Sequence, residues 1–283
     1  MITKGRIIPV AGTVAMALLC LVACNPKEKT EPLTFSQINK EQKASLVQDA
    51  ENPHCRIKVS YQYINTPKDS INESITRQIN CRVLGEEYQA LAPEVAVDSL
   101  MHNYVRNYQK EVKGYYDEEI AHGADVKDLP AWFNYSHELN TEVEVVDNRY
   151  INYRANIFTY QGGAHPNEWE YWMCFNQQSG KHIRIEDIIE RKHTEAVKDM
   201  VLKELIKHMA TIYPKEKITT VDDLIRLQLP NFSDLFLSEN FKMDNDSITF
   251  LYNKYDIAPY VFGKFIVALP IQELEPYMIQ DRN

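Results

Sequence analysis

The sequence predicts an α+β fold with mainly antiparallel sheets, packed amphipathic helices and two adjoining subdomains. Short stretches of alternating apolar and polar residues, typical of half-buried strands, occur in both halves of the chain. Longer stretches with apolar residues three or four positions apart are typical of helices that pack on a sheet. Strands and helices do not alternate as in a regular βαβ repeat, so a parallel α/β sheet is not expected.

The N-terminus has the pattern of a bacterial lipoprotein signal peptide. Lys4 and Arg6 precede an apolar run, and the run closes with LVAC, which ends at Cys24 and resembles a lipobox. Cys20 fits less well because a bulky leucine precedes it. We therefore expect residues 1–23 to be cleaved and the lipidated cysteine to anchor the protein to the lipid bilayer, in the cell envelope at the periplasmic or surface face of the outer membrane. The alternative is an uncleaved anchor helix.

Residues 24–52 are predicted to form a flexible tether, because Lys, Glu, Gln, Thr and Pro dominate them and their apolar residues show little periodicity. The whole chain carries a formal net charge of −9. An acidic chain is a poor binder of nucleic acid, so no nucleic-acid partner is expected. The charge suits a basic protein partner, although it also serves solubility alone.

Cysteine usage agrees with an exported protein. Cys55 begins a predicted strand and Cys81 ends the helix after it, so a strand–turn–helix hairpin would bring the two together. A disulfide between them would stabilise the fold by about 3–4 kcal/mol in the chain-entropy model. The sequence is equally compatible with this disulfide and with two thiols. Cys174 is expected to be a buried free thiol.

The first half begins with a half-buried strand over residues 56–63, where apolar and polar residues alternate. Isoleucines four residues apart predict a helix from about Ser70 to Ile79, and a longer helix follows Pro93. The longer helix carries several tyrosines, up to Tyr115, on its apolar stripe. At this spacing they are expected to be core residues rather than the lining of a ligand cleft.

Two strands, over residues 139–146 and 150–160, flank a hairpin turn at Asp147 and Asn148. The second strand alternates cleanly until Phe158 and Tyr160, which fall on its polar face. A bulge, or burial on both faces, is therefore expected at its end.

The stretch Tyr160 to Asn167 reads YQGGAHPN and contains the only adjacent pair of glycines in a chain with nine. We expect a positive φ or a close backbone approach at Gly162 and Gly163. The elements predicted after it are strands over 169–175 and 181–185, helices over 197–212 and 221–229, a hairpin over 240–252, a buried strand over 262–269 and a closing helix over 271–278. We place the two subdomains at residues 53–165 and 166–283.

The sequence contains no nucleophile elbow, phosphate-binding glycine loop, paired CxxC or HExxH motif. The best cluster for chemistry is His165 with Glu168 and Glu170, a set that suits a divalent ion or acid–base work. The two glutamates alternate with Trp169 and Tyr171, which favours a solvated strand face instead. We expect no catalytic residue, no metal site and no cofactor, and we expect the ring of His165 to fix its loop by a hydrogen bond.

A second cluster lies at Tyr252 to Gly263, where three tyrosines and Asp256 surround Pro259. Tyrosine combines contact area with a polar tip, so an ordered loop of this composition suits recognition. The alternative is a packed corner whose hydroxyl groups are all hydrogen-bonded.

Together the two clusters resemble the PdaC/RsiV-like family of extracytoplasmic domains. A Tyr-x-Gly-Gly-Ala-His motif is matched at residues 160–165, and Ser-Gly-Lys at 179–181 and Asp-Ile at 187–188 follow it. A Tyr-x-Ile-Ala-Pro-Tyr-x-x-Gly motif is matched at 255–263. The resemblance covers roughly residues 53–280.

The resemblance implies a deacetylase-accessory-type part followed by a part similar to the C-terminal region of a lysozyme-receptor anti-sigma factor. The chain has no room for a separate deacetylase domain, and only six residues precede the apolar run. We therefore expect recognition at the cell envelope to carry over, without catalysis or signalling. The candidate ligand-binding residues are Tyr160, Gly162, Gly163, His165, Tyr255, Asp256 and Tyr260.

The preferred hypothesis is thus a non-enzymatic lipoprotein that binds an envelope ligand, either a protein such as a lysozyme or a glycan such as peptidoglycan. One alternative is a hydrolase of peptidoglycan or another glycan that uses His165 with Glu168 or Asp256. Another is a structural envelope lipoprotein.

Overall fold

The computed structural model describes residues 33–48, 53–65, 70–147 and 149–280. The predicted signal peptide, Cys24 and the first part of the predicted tether lie outside these residues. Within the described ranges, no helix is both long and apolar enough to cross a membrane. Leu33 and the residues after it belong to one compact unit.

The larger sheet has six strands, which lie side by side in chain order. They are β1 (Phe35–Ser45), β2 (His54–Ile64), β3 (Tyr135–Val146), β4 (Tyr150–Tyr160), β5 (Asn167–Asn176) and β6 (His182–Ile183). All neighbours are antiparallel except β2 and β3, which are parallel. A parallel pair needs a long crossover, and two helices supply it: α1 (Ser70–Ile79) and α2 (Pro93–Ala121).

Strand β1 corrects the prediction of a flexible tether over residues 24–52. It pairs with β2 along its full length, and Ile38 in its middle is buried. Lys40 forms an ion pair with Asp98 of α2, and Glu41 forms one with Arg56 at 2.8 Å. Charged residues are common on edge strands because they discourage pairing with another chain. That composition made the strand look like a linker.

Helices α1 and α2 cover one face of this sheet, as their apolar stripes predict. Ile57, Val59 and Tyr61 of β2 are almost completely buried in the core between them. The tyrosine prediction is confirmed at Tyr108, which is buried, and wrong at Tyr115, which is 60% exposed. The buried stripe of α2 instead continues in steps of four residues from Tyr108 to its last buried member, Tyr116.

The smaller sheet has three antiparallel strands, β7 (Phe241–Met243), β8 (Ser247–Tyr252) and β9 (Phe265–Pro270). It shares a second core with three helices, which are α3 (Thr194–Ile212), α4 (Val221–Arg226) and α5 (Ile271–Leu274). The predicted α+β class, with mainly antiparallel sheets in two adjoining parts, is confirmed. The predicted strand over 181–185 shrinks to the two residues of β6.

Of the two possibilities left open for Cys55 and Cys81, the structure shows two free thiols and no disulfide between them. A strand of 11 residues, such as β2, is roughly 35 Å long, whereas a helix of ten residues returns only about 15 Å. The chain therefore turns back too little to bring Cys81 to the start of β2. Cys55 is buried, which raises the pKa of its thiol to about 11. Cys174 is a buried free thiol, as predicted.

Three asparagine side chains join the two sheets. Asn152 of β4 donates to the Met243 carbonyl at 2.7 Å and accepts from its N–H at 3.2 Å. Asn253 accepts from the Glu170 N–H at 2.9 Å and donates to the Glu170 carbonyl at 3.0 Å. Asn240 donates to the same carbonyl at 3.3 Å. A primary amide presents a donor and an acceptor side by side, so each of these side chains can replace a neighbouring strand at an open sheet edge.

Candidate functional site

The two sequence motifs that lie about 100 residues apart meet in space. The ring of His165 stacks on the ring of Tyr260, with centroids 5.8 Å apart and planes 18° apart. Tyr255 continues the row at 5.7 Å from Tyr260. We call these three side chains the aromatic rim. Tyr255 is 74% exposed and Tyr260 is 36% exposed, so the rim faces solvent.

The glycine pair sets the backbone that presents His165. Gly162 and Gly163 have φ values of +83° and +94°, which confirms the predicted left-handed conformation. A Cβ atom on Gly162 would lie only 3.3 Å from Cβ of Trp132. Tyr160 donates its hydroxyl to the Gly163 carbonyl at 3.1 Å and so holds the loop. The predicted hydrogen bond of the His165 imidazole is not found among the described residues. The loop is held instead by the Tyr160 hydroxyl and by stacking of the His165 ring on Tyr260.

Tyr255 lies in a strained turn. Its φ is +72°, a conformation that residues other than glycine seldom adopt. Asn253 and Asp256 close the turn, because the Asp256 carboxylate accepts from the Asn253 N–H at 2.7 Å and the Asp256 N–H donates to the Asn253 carbonyl at 3.1 Å. Burial raises the pKa of Asp256, and this hydrogen bond opposes the rise. Asp256 therefore holds the tyrosine and does not line the cleft described next.

Beside the rim lies a cleft of about 450 Å³ between the polar face of the larger sheet and the turn that carries the rim. Lys254 connects the two, since its Nζ lies 4.9 Å from the Tyr260 ring centroid and 2.7 Å from Oε2 of Glu168. The side chains on the sheet side are Glu138, Asn140, Asn156, Phe158, Glu168 and Glu170. The opposite wall is formed by Asn253, Lys254, Gly263 and Lys264.

Phe158 is the apolar side chain that strand alternation places on this polar floor. Ile157 and Trp169 also line the cleft, but they are paired with each other and alternate onto the opposite face of the sheet. The pairing of β4 with β3 and β5 runs without interruption past this residue, so the strand has no bulge there. Phe158 lies opposite Glu138 on one side and Glu168 on the other. The predicted bulge is therefore wrong. Residues 157–160 at the end of the strand are partly buried on both faces, and the cleft partly covers Phe158.

Glu170 corrects the prediction of a solvated strand face. Its side chain is only 4% exposed and accepts hydrogen bonds from Trp172 Nε1 at 2.7 Å, from Arg154 Nη2 at 3.0 Å and from Lys264 Nζ. Burial raises the pKa of the carboxyl, but the donors from Lys264, Trp172 and Arg154 outweigh it, so the pKa lies below its ordinary value. Glu168, by contrast, has an exposed side chain, as predicted.

The structure does not assemble His165, Glu168 and Glu170 into a reactive centre. His165 stacks on Tyr260, Glu168 is paired with Lys254, and Glu170 accepts from three donors. A carboxylate with a lowered pKa and three donors is a weak base near neutral pH. In the described ranges, no group of three or more His, Cys, Asp or Glu side chains has the arrangement of a metal site.

Both sequence motifs lie in regions that match known protein families. Residues 48–168 match the family model described as deacetylase PdaC, and residues 175–272 match the model described as protein of unknown function DUF3298. The chain carries a PdaC domain followed by a DUF3298 domain. The cleft lies where they meet, because Glu138 to Glu168 belong to the PdaC domain and Asn253 to Lys264 to the DUF3298 domain.

Two solved structures share this arrangement. A DUF3298 family member from Bacteroides fragilis NCTC 9343 is 25% identical, covers 88% of this chain and 94% of its own, and superposes with a TM-score of 0.78. A DUF3298 family protein from Pseudomonas aeruginosa PAO1 is 14% identical, with coverages of 88% and 95% and a TM-score of 0.52, and shows the same fold. A search of curated proteins finds no significant match.

The sequence pointed to the rim and to part of the cleft. Glu168, Glu170 and the segment from Tyr252 to Gly263 were singled out, and Phe158 gave a signal because it broke the alternation of β4. Asn140, Asn156 and Lys264 carry no motif, and their positions depend on pairing between distant strands.

Proposed function

We propose that this protein binds an envelope glycan, without catalysis, in the cleft between its PdaC and DUF3298 domains. The observation that carries the proposal is Phe158, half-buried on a floor of amide and carboxylate side chains. A saccharide has a flat C–H face and a ring of hydroxyl groups, so it suits one apolar ring surrounded by planar hydrogen-bonding groups.

The polar groups of the cleft are suited to hydroxyl ligands. Asn140 and Asn156 lie directly opposite each other on β3 and β4, and both are exposed. Each amide can donate and accept, as a hydroxyl group can. Lys254 and Lys264 supply donors on the other wall, and their pairing with Glu168 and Glu170 leaves the cleft close to neutral.

The test is calorimetric titration with soluble muropeptides and with an N-acetylglucosamine oligomer, alongside a maltose oligomer of equal length. We expect the Phe158→Ala variant to bind about 5- to 30-fold more weakly, since loss of a stacked ring costs about 1–2 kcal/mol. The matched control is Tyr115→Ala, an exposed aromatic residue on α2 that should leave affinity unchanged. Equal binding by wild type and the Phe158 variant would contradict the proposal.

A protein ligand such as a lysozyme is the second candidate. The surface around the rim favours it, because Tyr255 is 74% exposed and Val261 is 80% exposed. The net charge of −9 suits a basic partner. Retention on immobilised lysozyme at low salt that is lost in Tyr255→Ala would support this candidate, and no retention at low salt would remove it.

The hydrolase alternative makes a different prediction. If His165 were a catalytic base, His165→Gln would abolish turnover of peptidoglycan fragments without lowering the melting temperature. The stacked geometry favours a structural role, so we expect no turnover in the wild type and a lower melting temperature in the variant.

We also propose that the protein is a cell-envelope lipoprotein, on the strength of its N-terminal sequence. Cys20→Ala and Cys24→Ala form a matched pair for metabolic labelling with a fatty acid. Label should disappear only in Cys24→Ala. Labelling of both variants, or of neither, would contradict this anchor.

A further inference from the structure

A second cavity, of about 820 Å³, shares no lining residue with the glycan cleft. Its lining includes Arg77 and Arg82 at the end of α1 and Arg184 just after β6. We call it the arginine groove. It draws residues from both domains, and Phe236, which is 44% exposed, supplies an apolar patch on its wall.

The local helix geometry presents two of these arginines. After α1 the chain continues as a π-helix over Asn80–Leu84, whose wider turn brings residues five apart towards one face. The buried Asn80 side chain fixes this turn, because it donates to the Leu91 carbonyl at 2.9 Å and accepts from the Tyr61 hydroxyl at 2.5 Å.

Two of the three guanidinium groups are not neutralised by a carboxylate. In the part of the chain that the structure describes, neither Arg77 nor Arg82 forms an ion pair. The Arg82 guanidinium lies 4.4 Å from the ring centroid of Tyr171, which holds it by a cation–π contact. Arg184 forms an ion pair with Glu239, but at 3.6 Å this contact is longer than a hydrogen bond.

Three carboxylates also line the groove, and two of them accept hydrogen bonds from backbone N–H groups. Asp256 accepts from the Asn253 N–H at 2.7 Å, and Glu239 accepts from the Ile185 N–H at 3.3 Å. The third, Glu86, is exposed. Arg77 and Arg82 therefore keep donors for a ligand.

His182 also lines the groove, close to Arg184 and Arg82. Its Nε2 is buried and has no hydrogen-bond partner among the described residues. Burial, and then the charges of Arg184 and Arg82, lower the pKa of its imidazole to about 4, although Asp187 acts in the opposite direction.

We propose that the arginine groove binds an anionic group, a phosphate or a carboxylate, that belongs to a larger envelope molecule. Guanidinium groups bind both anions through paired N–H donors, and the cavity is far larger than either anion alone. This site is independent of the glycan cleft, so either proposal can fail without the other.

The test follows the arginine Nε–Hε and histidine ring signals by NMR while inorganic phosphate or succinate is added at constant ionic strength. We expect saturable shifts at Arg82, Arg184 and His182. Whichever of phosphate and succinate binds with the higher affinity indicates the kind of anion that the groove prefers. Arg184→Gln should weaken binding at least about tenfold, the equivalent of one charge-assisted bond. Arg77→Gln should also weaken binding. Arg77 forms no ion pair with the residues that the structure describes, and an unchanged melting temperature of this variant would exclude misfolding as the cause.

The matched control is Arg106→Gln, an exposed arginine on α2 that does not line the groove. It should bind phosphate and succinate as the wild type does. Shifts that do not saturate, or equal losses in Arg106→Gln and Arg184→Gln, would overturn the proposal, because they would show only general charge screening.

Discussion

At the scale of single residues, Glu170 holds the joint between the domains. It accepts from Arg154, Trp172 and Lys264, and its own backbone is bound by Asn253. The Glu170→Gln variant keeps an acceptor for Trp172 but loses the charge. We expect a decrease of about 1–3 kcal/mol in the free energy of unfolding at pH 7, measured by urea denaturation. Glu168→Gln, which removes one exposed ion pair, is the control and should cost less than about 1 kcal/mol.

The Glu170 variant also has a predicted pH dependence. Because the folded protein holds the pKa of Glu170 below its ordinary value of 4.5, the unfolded chain takes up the proton first as the pH falls. The stabilisation is therefore complete above pH 4.5 and is lost progressively below it. The difference between wild type and Glu170→Gln should shrink in that range. A difference that grows at low pH would show that the carboxylate is not stabilised by its donors.

His137 makes a separate contribution at mildly acidic pH. Burial under α2, where its ring lies 5.5 Å from that of Tyr104, lowers its pKa to about 4. Between pH 6.5 and 4 only the unfolded chain binds this proton. The free energy of unfolding therefore decreases by about 1.4 kcal/mol for each pH unit by which the pH is lowered. In His137→Phe one proton fewer is taken up on unfolding in this range, so the slope of stability against pH should decrease by that amount. The contribution of His182 to the slope should remain. An unchanged slope would place the titrating group elsewhere.

At the scale of elements, β1 is the clearest departure from expectation. A protein that begins at Leu33 keeps this strand, and one that begins at Pro53 loses it and exposes the edge of β2. Loss of Ile38 from the core alone costs about 2 kcal/mol, so the shorter protein should unfold at a clearly lower temperature. Equal melting temperatures would restore the interpretation of residues 35–45 as a tether.

The turn between β5 and β6 packs directly against α1. Gly180 has a φ of +67°, and a Cβ atom there would lie 2.9 Å from the carbonyl oxygen of Ile71. Gly163 has a φ of +94°, but a Cβ atom there would meet open space. Both alanine variants bear backbone strain of about 1–2 kcal/mol, and Gly180→Ala adds a clash with backbone. Calorimetry should therefore show the larger loss of stability for Gly180→Ala, and the opposite order would contradict this packing.

Elements with strong periodicity could be predicted from the sequence, and elements without it could not. The alternation of β2 and β4 and the apolar stripe of α3 each reflect burial against one neighbouring layer, so they leave a readable pattern. Strand β1 has one buried residue in its centre and charges elsewhere, because an edge strand meets solvent. Glu170 was misassigned because its burial is caused by the second domain, which local alternation does not report.

At the scale of the whole molecule, the two domains form the candidate site together. The sequence predicted both halves of the aromatic rim, at His165 and at Tyr255 with Tyr260, but not that they stack. That contact depends on the asparagine bonds between Asn253 and Glu170 and between Asn152 and Met243, which join residues more than 80 positions apart. Single-sequence patterns carry no information about such pairs.

The central claim is that a glycan occupies the cleft at this joint. NMR detection of the side-chain amide groups of Asn140 and Asn156 during titration with soluble muropeptides tests it most directly. Saturable shifts of both signals are expected, with no shift for Asn107, an exposed asparagine on α2. Saturable binding that leaves Asn140 and Asn156 unshifted, or the absence of binding, would contradict the claim.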